Sequence, residues 1–227
     1  MSEIQIISQQ AVTEIVINRP EKKNALTREM YKTMGDAIIE ADASEACKVV
    51  VIRANGDIFC AGNEISGFAN HGKEPHLAET VGFMKALTNC KKPVIAEVSG
   101  LAVGIGTTML LHCDLVYCAT GTRFVLPFIN LGLVPEYASS YIIPRMAGRR
   151  RASEWLMLGE PFSAQDASDF GLVTKIVEPD ALRDTVSEVA NKLAAKPKFA
   201  LLQTKALLNN EAEDIQQHMD YELDIFI

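Results

Sequence analysis

Glu136 is set where a carboxylate meets little water. It follows Pro135 in the stretch from Leu131 to Ser140, between the apolar runs 124–129 and 141–144. Desolvation disfavours the ionised form and lifts a carboxyl pKa, which suits a general acid/base working near neutral pH. A plainer role stands beside that one. A glutamate in the first turn of a helix complements the macrodipole, with Ser139 and Ser140 as ordinary helix residues.

Two glycine-containing turns carry further chemistry. One runs from Phe59 to Ile65 after an apolar run at 48–53, and the other from Ser99 to Gly106 after a run at 94–98. Glycine lets backbone N–H groups come close to a ligand, and a helix that starts at such a turn is an anion site. The second turn holds Gly104 and Gly106 but has Met109 where a dinucleotide fingerprint needs its third glycine, and neither turn has the Walker lysine pattern. Either turn alone is only a turn. Together they could offer two N–H donors to one oxygen, an oxyanion hole, and an adjacent carboxylate base would complete an enolate-forming site.

The elements that must position these residues alternate. Residues 11–17 read as a partly alternating strand. Thr27 is a plausible N-cap for a helix to about Asp42, with Met30, Met34, Ile38 and Ala41 on one face. The β-branched run 48–53 predicts a strand buried on both faces, repeated at 94–98 and 115–118, with a short helix at about 106–112 between the last two. Beyond residue 148 the pattern turns helical: 152–158, then 164–170 capped by Ser163 and stopped by Gly171, a short strand at 173–177, and an amphipathic helix at 180–195. Lys196 and Pro197 break that helix, and another carries Ala200, Leu201, Lys205, Leu207 and Leu208. A layered α/β fold follows, with no tandem repeat.

Composition narrows the function classes. A chain of 227 residues, 48% hydrophobic and 22% charged, can bury a real core as one domain. A net charge of -7 argues against a nucleic-acid surface but leaves room for a local basic pocket. No signal peptide or apolar span long enough for a bilayer is visible, so the expected setting is cytoplasmic. The five cysteines are scattered and form no CxxC pair, as expected of reduced, structural thiols. The four histidines lack ligand spacing apart from His71 and His76, which share a loop-like segment, and no metal site is expected.

Five segments in order resemble one family. Residues 17–26 (Ile-Asn-Arg-Pro-Glu-Lys-Lys-Asn-Ala-Leu), the turn 59–65, the run 92–106, Cys113 with Asp114, and Gly132 to Glu136 are similar to the crotonase (enoyl-CoA hydratase/isomerase) superfamily. The likeness continues through Phe170 to Val173 and covers nearly the whole chain. It implies a spiral of ββα turns over residues 1–165 and a helical, oligomerising region over 166–227, assembled as a homotrimer or dimer of trimers. It also implies an acyl-CoA thioester as substrate, with no separate cofactor. By position, the oxyanion donors would be the amides of Asn63 and Ile105. The CoA adenine would lie near the carbonyl of Ala61, and Lys22 or Lys23 would reach the phosphates if they are more than a solvated turn. Arg149 to Arg151 read as a solvated or subunit-facing run with a minor chance of phosphate contact.

Departures from the hydratase pattern select a branch. Hydratases of this family carry two glutamates where this chain has Thr108 and Phe128, which with Leu133 would line an acyl pocket. Glu136 remains, in a Pro-Glu-x-x-Ser-Ser context that resembles the peroxisomal-type Δ3,Δ2-enoyl-CoA isomerases. The expected activity is therefore a shift of the 3-enoyl double bond with Glu136 as sole acid/base. Alternatives are a hydratase or other crotonase reaction, and a non-catalytic acyl-CoA-binding paralogue. The last draws on Glu64, where the family usually has Asp, and on a tail that ends where the resemblance implies another helix or two.

Overall fold

The apolar run near residue 50 lies inside a sheet. In β3 (Val49–Ala54), Val50 and Ile52 join one core cluster while Val49 and Val51 join another on the opposite face. A strand apolar on both sides has to be covered on both sides. The computed structural model describes residues 2–64, 77–209 and 212–226. Its main sheet has six strands in the order β1 (Ile4–Gln9), β2 (Val12–Ile17), β3, β4 (Val94–Val98), β6 (Leu115–Ala119) and β9 (Lys175–Val177). Only the β1–β2 pair is antiparallel. A small second sheet joins β5 (Leu101–Val103), β7 (Arg123–Val125) and β8 (Phe162–Ser163).

Between these sheets the chain repeats a ββα path. It leaves the main sheet at β4, pairs in the small sheet at β5, and turns into α3 (Ile105–Thr108), extended by a 3-10 turn Met109–His112. It then re-enters the main sheet at β6 and the small one at β7 before α4 (Ser139–Ser153). On one face of the main sheet lie α1 (Arg28–Ala43) and α2 (Ala78–Thr88). Gly35 lets the two helices touch: a Cβ there would sit 3.3 Å from the Phe83 Cα. The other face is closed by α6 (Pro179–Ala194), with Leu182, Val186 and Ala190 against Val49, Val51, Ile95 and Tyr117.

Local signals acted where they were expected to. The Thr27 hydroxyl accepts the Met30 N–H at 3.3 Å and starts α1. Ser163 caps α5 (Ala164–Asp169) in a reciprocal box with Asp166. Differences have identifiable causes. Strands β5, β7 and β8 are two or three residues long, too short for a period to show. The helix expected from residue 152 begins earlier, because α4 tolerates Pro144 and bends at Gly148 (φ 78°) before a π-helical turn over Glu154–Leu158. The tail forms α7 (Lys198–Leu208) and α8 (Ala212–Phe226). The boundary drawn at 165 falls within α5, and β9 beyond it still belongs to the main sheet.

Ile65, His71 and His76 lie outside the described residues. Among the described residues no helix is long and apolar enough to cross a membrane, and no cluster of His, Cys, Asp and Glu could hold a metal ion. All five cysteines are free thiols.

Candidate active site

Three backbone segments lie side by side at the mouth of the sheets. The Cys60 N–H donates to the Leu101 carbonyl at 3.1 Å and the Val103 N–H to the Cys60 carbonyl at 2.9 Å. On the other side, the Leu26 N–H donates to Gly62 O at 2.8 Å and the Glu64 N–H to Leu26 O at 3.0 Å. The two glycine turns are thus bridged directly, at Cys60 and Ala102. Their glycines have different reasons. Gly106 packs on Cys60, where an added Cβ would come within 2.9 Å of the carbonyl oxygen. Gly104 has open space around it but takes φ 54°, ψ -118°, a conformation side chains rarely adopt.

Each of the two turns leaves one amide free to act. The Gly104 carbonyl accepts from Thr107 and Thr108 at 2.8 and 2.9 Å, so Ile105 opens α3 with its own N–H unused, as first-turn amides are. Asn63 sits between Gly62 and Glu64, whose groups face Leu26, so its N–H points to the other side of the ladder. Neither amide has an acceptor among the described residues. The Asn63 side chain is fixed from below, its Oδ1 accepting the buried Tyr31 hydroxyl. Glu64 pairs with Arg19, which also pairs with Glu3 at 2.8 Å.

Glu136 lies three residues before α4, outside its first turn, with 6% of its surface exposed. Its Oε1 accepts the Thr108 hydroxyl at 2.6 Å, which joins it to the helix that starts with Ile105. Burial pushes the carboxyl up to about 8, the Thr108 hydrogen bond pulls it partly back, and the nearby Glu222 pushes it further up. The helix-charge reading therefore gives way: the residues between Glu136 and α4 are not helical. Tyr137 and Ala138 both sit in the left-handed region, at φ 60° and 56°, a conformation that costs about 1 kcal/mol or more per non-glycine residue and persists where the surroundings impose it.

Those surroundings come from three elements. The Tyr137 hydroxyl donates to the Met84 carbonyl of α2 at 2.8 Å. The His112 ring stacks on the Tyr137 ring at 3.8 Å, and its Nε2 lies 2.9 Å from the Tyr137 carbonyl. Burial pushes the His112 pKa down to about 4, so the ring is neutral, with Nε2–H the donor and Nδ1 left to accept the Thr88 hydroxyl at 3.2 Å. From α8, the Glu222 carboxylate accepts the N–H of Ala138 at 2.6 Å and of Ser140 at 3.0 Å, together with the Ser140 hydroxyl.

The remaining expected residues divide. Leu133 lines a mostly apolar groove of about 380 Å³ with Val134, Pro135, Pro144, Leu156 and Met157, to which Arg149 adds a guanidinium, beginning one residue from Glu136. Thr108 and Phe128 do not line it. Thr108 is fully buried on the carboxyl of Glu136, and Phe128 is packed in the core, its carbonyl accepting the Leu133 N–H at 2.9 Å. Lys22 and Lys23 are exposed on a 3-10 turn, and the Lys23 carbonyl accepts the Ala61 N–H at 3.1 Å. Arg149 and Arg150 are exposed, while Arg151 pairs with Glu154 at 2.7 Å. Tyr31, His112 and Glu222 were not singled out from the sequence. Glu222 had a signal: Ile215, Met219 and Glu222 follow at i, i+4 and i+7, which puts a carboxylate on the inward stripe of a helix.

Comparison with known proteins gives a consistent picture. A family model described as Enoyl-CoA hydratase/isomerase matches residues 8–226. The chain is 30% identical to the 1,2-epoxyphenylacetyl-CoA isomerase of Escherichia coli K12, over 95% of this chain and 86% of that protein. It is 32% identical to the enoyl-CoA delta isomerase 2 of Rattus norvegicus over 93% of its own length but spans only 56% of that protein. Among solved structures, an enoyl-CoA hydratase/isomerase from Pseudoalteromonas atlantica T6c superposes with a TM-score of 0.95 at 36% identity, covering 99% of this chain and 90% of that one.

Proposed function

Since the chain belongs to the enoyl-CoA hydratase/isomerase family, we propose that it is the isomerase kind: it moves the double bond of a 3-enoyl-CoA to give the trans-2-enoyl-CoA. The family spans both reactions, so the choice rests on the site. The observation that carries it is Glu136, a buried carboxyl raised to about 8, with a threonine on it where a hydratase has its own glutamate.

The chemistry needs one proton carrier. Ionised Glu136 takes a proton from C2, and the C–H electron pair moves into the thioester carbonyl to form a dienolate. The amides of Asn63 and Ile105 hold the oxygen as charge develops. Protonated Glu136 returns the proton at C4 while the enolate electrons re-form the carbonyl and leave a C2–C3 double bond. Hydration would need a positioned water and a second carboxylate, and Thr108 and Phe128 supply neither. The groove beside Leu133 takes the acyl chain. Ala61 and Lys22 or Lys23 receive the adenine and phosphates of CoA. The working form is a homotrimer or dimer of trimers, in the cytoplasm.

The test is an isomerase assay over short to long 3-enoyl-CoA esters, with Glu136→Gln beside it. Loss of roughly 10³-fold or more in kcat, with CoA-thioester binding retained by calorimetry, is expected. Near-normal turnover in that variant sinks the assignment. Formation of 3-hydroxyacyl-CoA from 2-enoyl-CoA at a higher rate than isomerisation makes the enzyme a hydratase instead.

A further inference from the structure

We propose that Glu222, on the last helix, is a positioning residue for Glu136, clamping the strained turn that aims the general base and so tying the docking of α8 to turnover. The inference rests on Glu136 being that base. Its own ground is geometric. The N-terminus of α4 begins at Ala138, which has no side chain able to accept a hydrogen bond. The acceptor arrives instead from 84 residues away: both oxygens of Glu222 are used, one on the Ala138 N–H, the other on the Ser140 N–H and hydroxyl. Three donors converge on one carboxylate that is 4% exposed.

The clamp lies on the residues that need it. Ala138 is the second of two consecutive left-handed non-glycine residues, and Glu136 is the residue before them. If Ala138 relaxes to an ordinary backbone conformation, the Glu136 side chain swings relative to Thr108 and to the amides of Asn63 and Ile105. Misplacement by about 1 Å is enough to cost a reaction roughly 10²-fold. Nothing local can substitute, because the acceptor belongs to a helix that must first dock. Met219, one turn before Glu222, is buried, and Tyr141 of α4 meets α8 through the His218 ring at 4.5 Å and through Asp214, which accepts its hydroxyl at 3.2 Å. The second serine of the Pro-Glu-x-x-Ser-Ser segment thereby acquires a partner and a reason.

Charge is the second part of the proposal. Burial raises the Glu222 carboxyl above its ordinary value while the Ser140 and Ala138 donors pull it back, and in its ionised form it opposes ionisation of Glu136. The other titratable groups around the pair are Tyr31 on α1, Lys85 on α2, His112 and Tyr137 beside the turn, and Asp214, His218 and Asp220 on α8 itself. All of them are kept in the Glu222 variants.

The experiment compares Glu222→Gln and Glu222→Ala with Asp214→Asn, which removes a charge from an α8 contact without touching the turn. Glutamine keeps an acceptor and loses the charge. In Glu222→Gln the acid limb of the kcat/KM profile is expected to move to lower pH. Glu222→Ala is expected to lose roughly 10²-fold in kcat with KM within a few-fold, and Asp214→Asn to stay near wild type. In the substrate-free proteins, amide exchange at Ala138 and Ser140 should quicken in Glu222→Ala. Carboxyl ¹³C titration should show Glu136 ionising at lower pH in Glu222→Gln. An unmoved Glu136 titration together with unchanged kcat in both folded variants overturns the proposal, and so does an equal loss in Asp214→Asn. If wild type turns over no 3-enoyl-CoA, the isomerase reading fails, while exchange and titration still decide the clamp.

Discussion

At neutral pH most of the Glu136 population is protonated, because burial holds its carboxyl at about 8. A base must be ionised to take a proton, so kcat/KM should climb with pH and level off above about 8, reporting the free enzyme. Thr108 sets where that limb falls. Its hydroxyl stabilises the anion, so Thr108→Val should move the limb to higher pH and lower the rate at pH 7. A limb that stays in place would remove Thr108 from the proton-transfer step. The same shift has a cost in stability. A carboxyl raised on folding stabilises the fold below the ordinary value of 4.5, and the contribution is lost as pH rises through about 8. Glu136→Gln mimics the protonated form, so it should melt higher than wild type, by a margin that grows between pH 5 and pH 9. At alkaline pH that margin is on the order of a few kcal/mol. Equal melting temperatures across that range would mean that Glu136 is not desolvated.

Among the elements, the second glycine turn bears the tightest demand. Gly104 meets nothing within 4 Å where a Cβ would stand, so Gly104→Ala isolates the backbone term. At φ 54°, ψ -118° that substitution should destabilise by about 1–3 kcal/mol, read as a lower denaturant midpoint, and turnover should fall further as the Ile105 amide swings away. Unchanged stability and activity would show that the turn does not fix Ile105. How much of this was legible follows from what each element needed. Glu136, the two glycine turns and the caps at Thr27 and Ser163 are local signals, written within a few residues. The long apolar strands and α6 are periodic and could be read directly. The short strands β5, β7 and β8 exist only because another strand lies beside them. Thr108 was legible as a missing carboxylate but not as the hydroxyl on Glu136, since the two lie 28 positions apart and the chain between them has to fold before they meet. Glu222 was legible as a carboxylate on the inward stripe of a helix, but neither its partners at Ala138 and Ser140 nor those of His112 could be read, since they meet only after distant segments fold.

Across the whole molecule, α7 is built inside out. Its one buried residue is Lys205, whose ammonium donates to Asp114 at 2.6 Å and to the Lys92 carbonyl at 2.8 Å. Phe199, Leu207 and Leu208 are each more than three-quarters exposed. A helix with its lysine inward and Phe199, Leu207 and Leu208 outward, only Leu201 and Leu202 being half-buried, is poorly suited to water, whereas single exposed leucines are ordinary. The oligomer proposed above would cover this face, and α7 is followed in the sequence by α8, from which Glu222 reaches the Glu136 turn. In that oligomer, assembly and catalysis would share a support. Leu207→Glu with Leu208→Glu should therefore dissociate the particle in sedimentation velocity, because a buried unpaired carboxylate is far costlier than the leucine it replaces. The fold should remain, since neither side chain enters the core, so the circular dichroism spectrum should match wild type. If wild type already sediments at the mass of one chain, or if the double variant keeps its assembly, α7 is not the contact and its leucines face solvent for another reason.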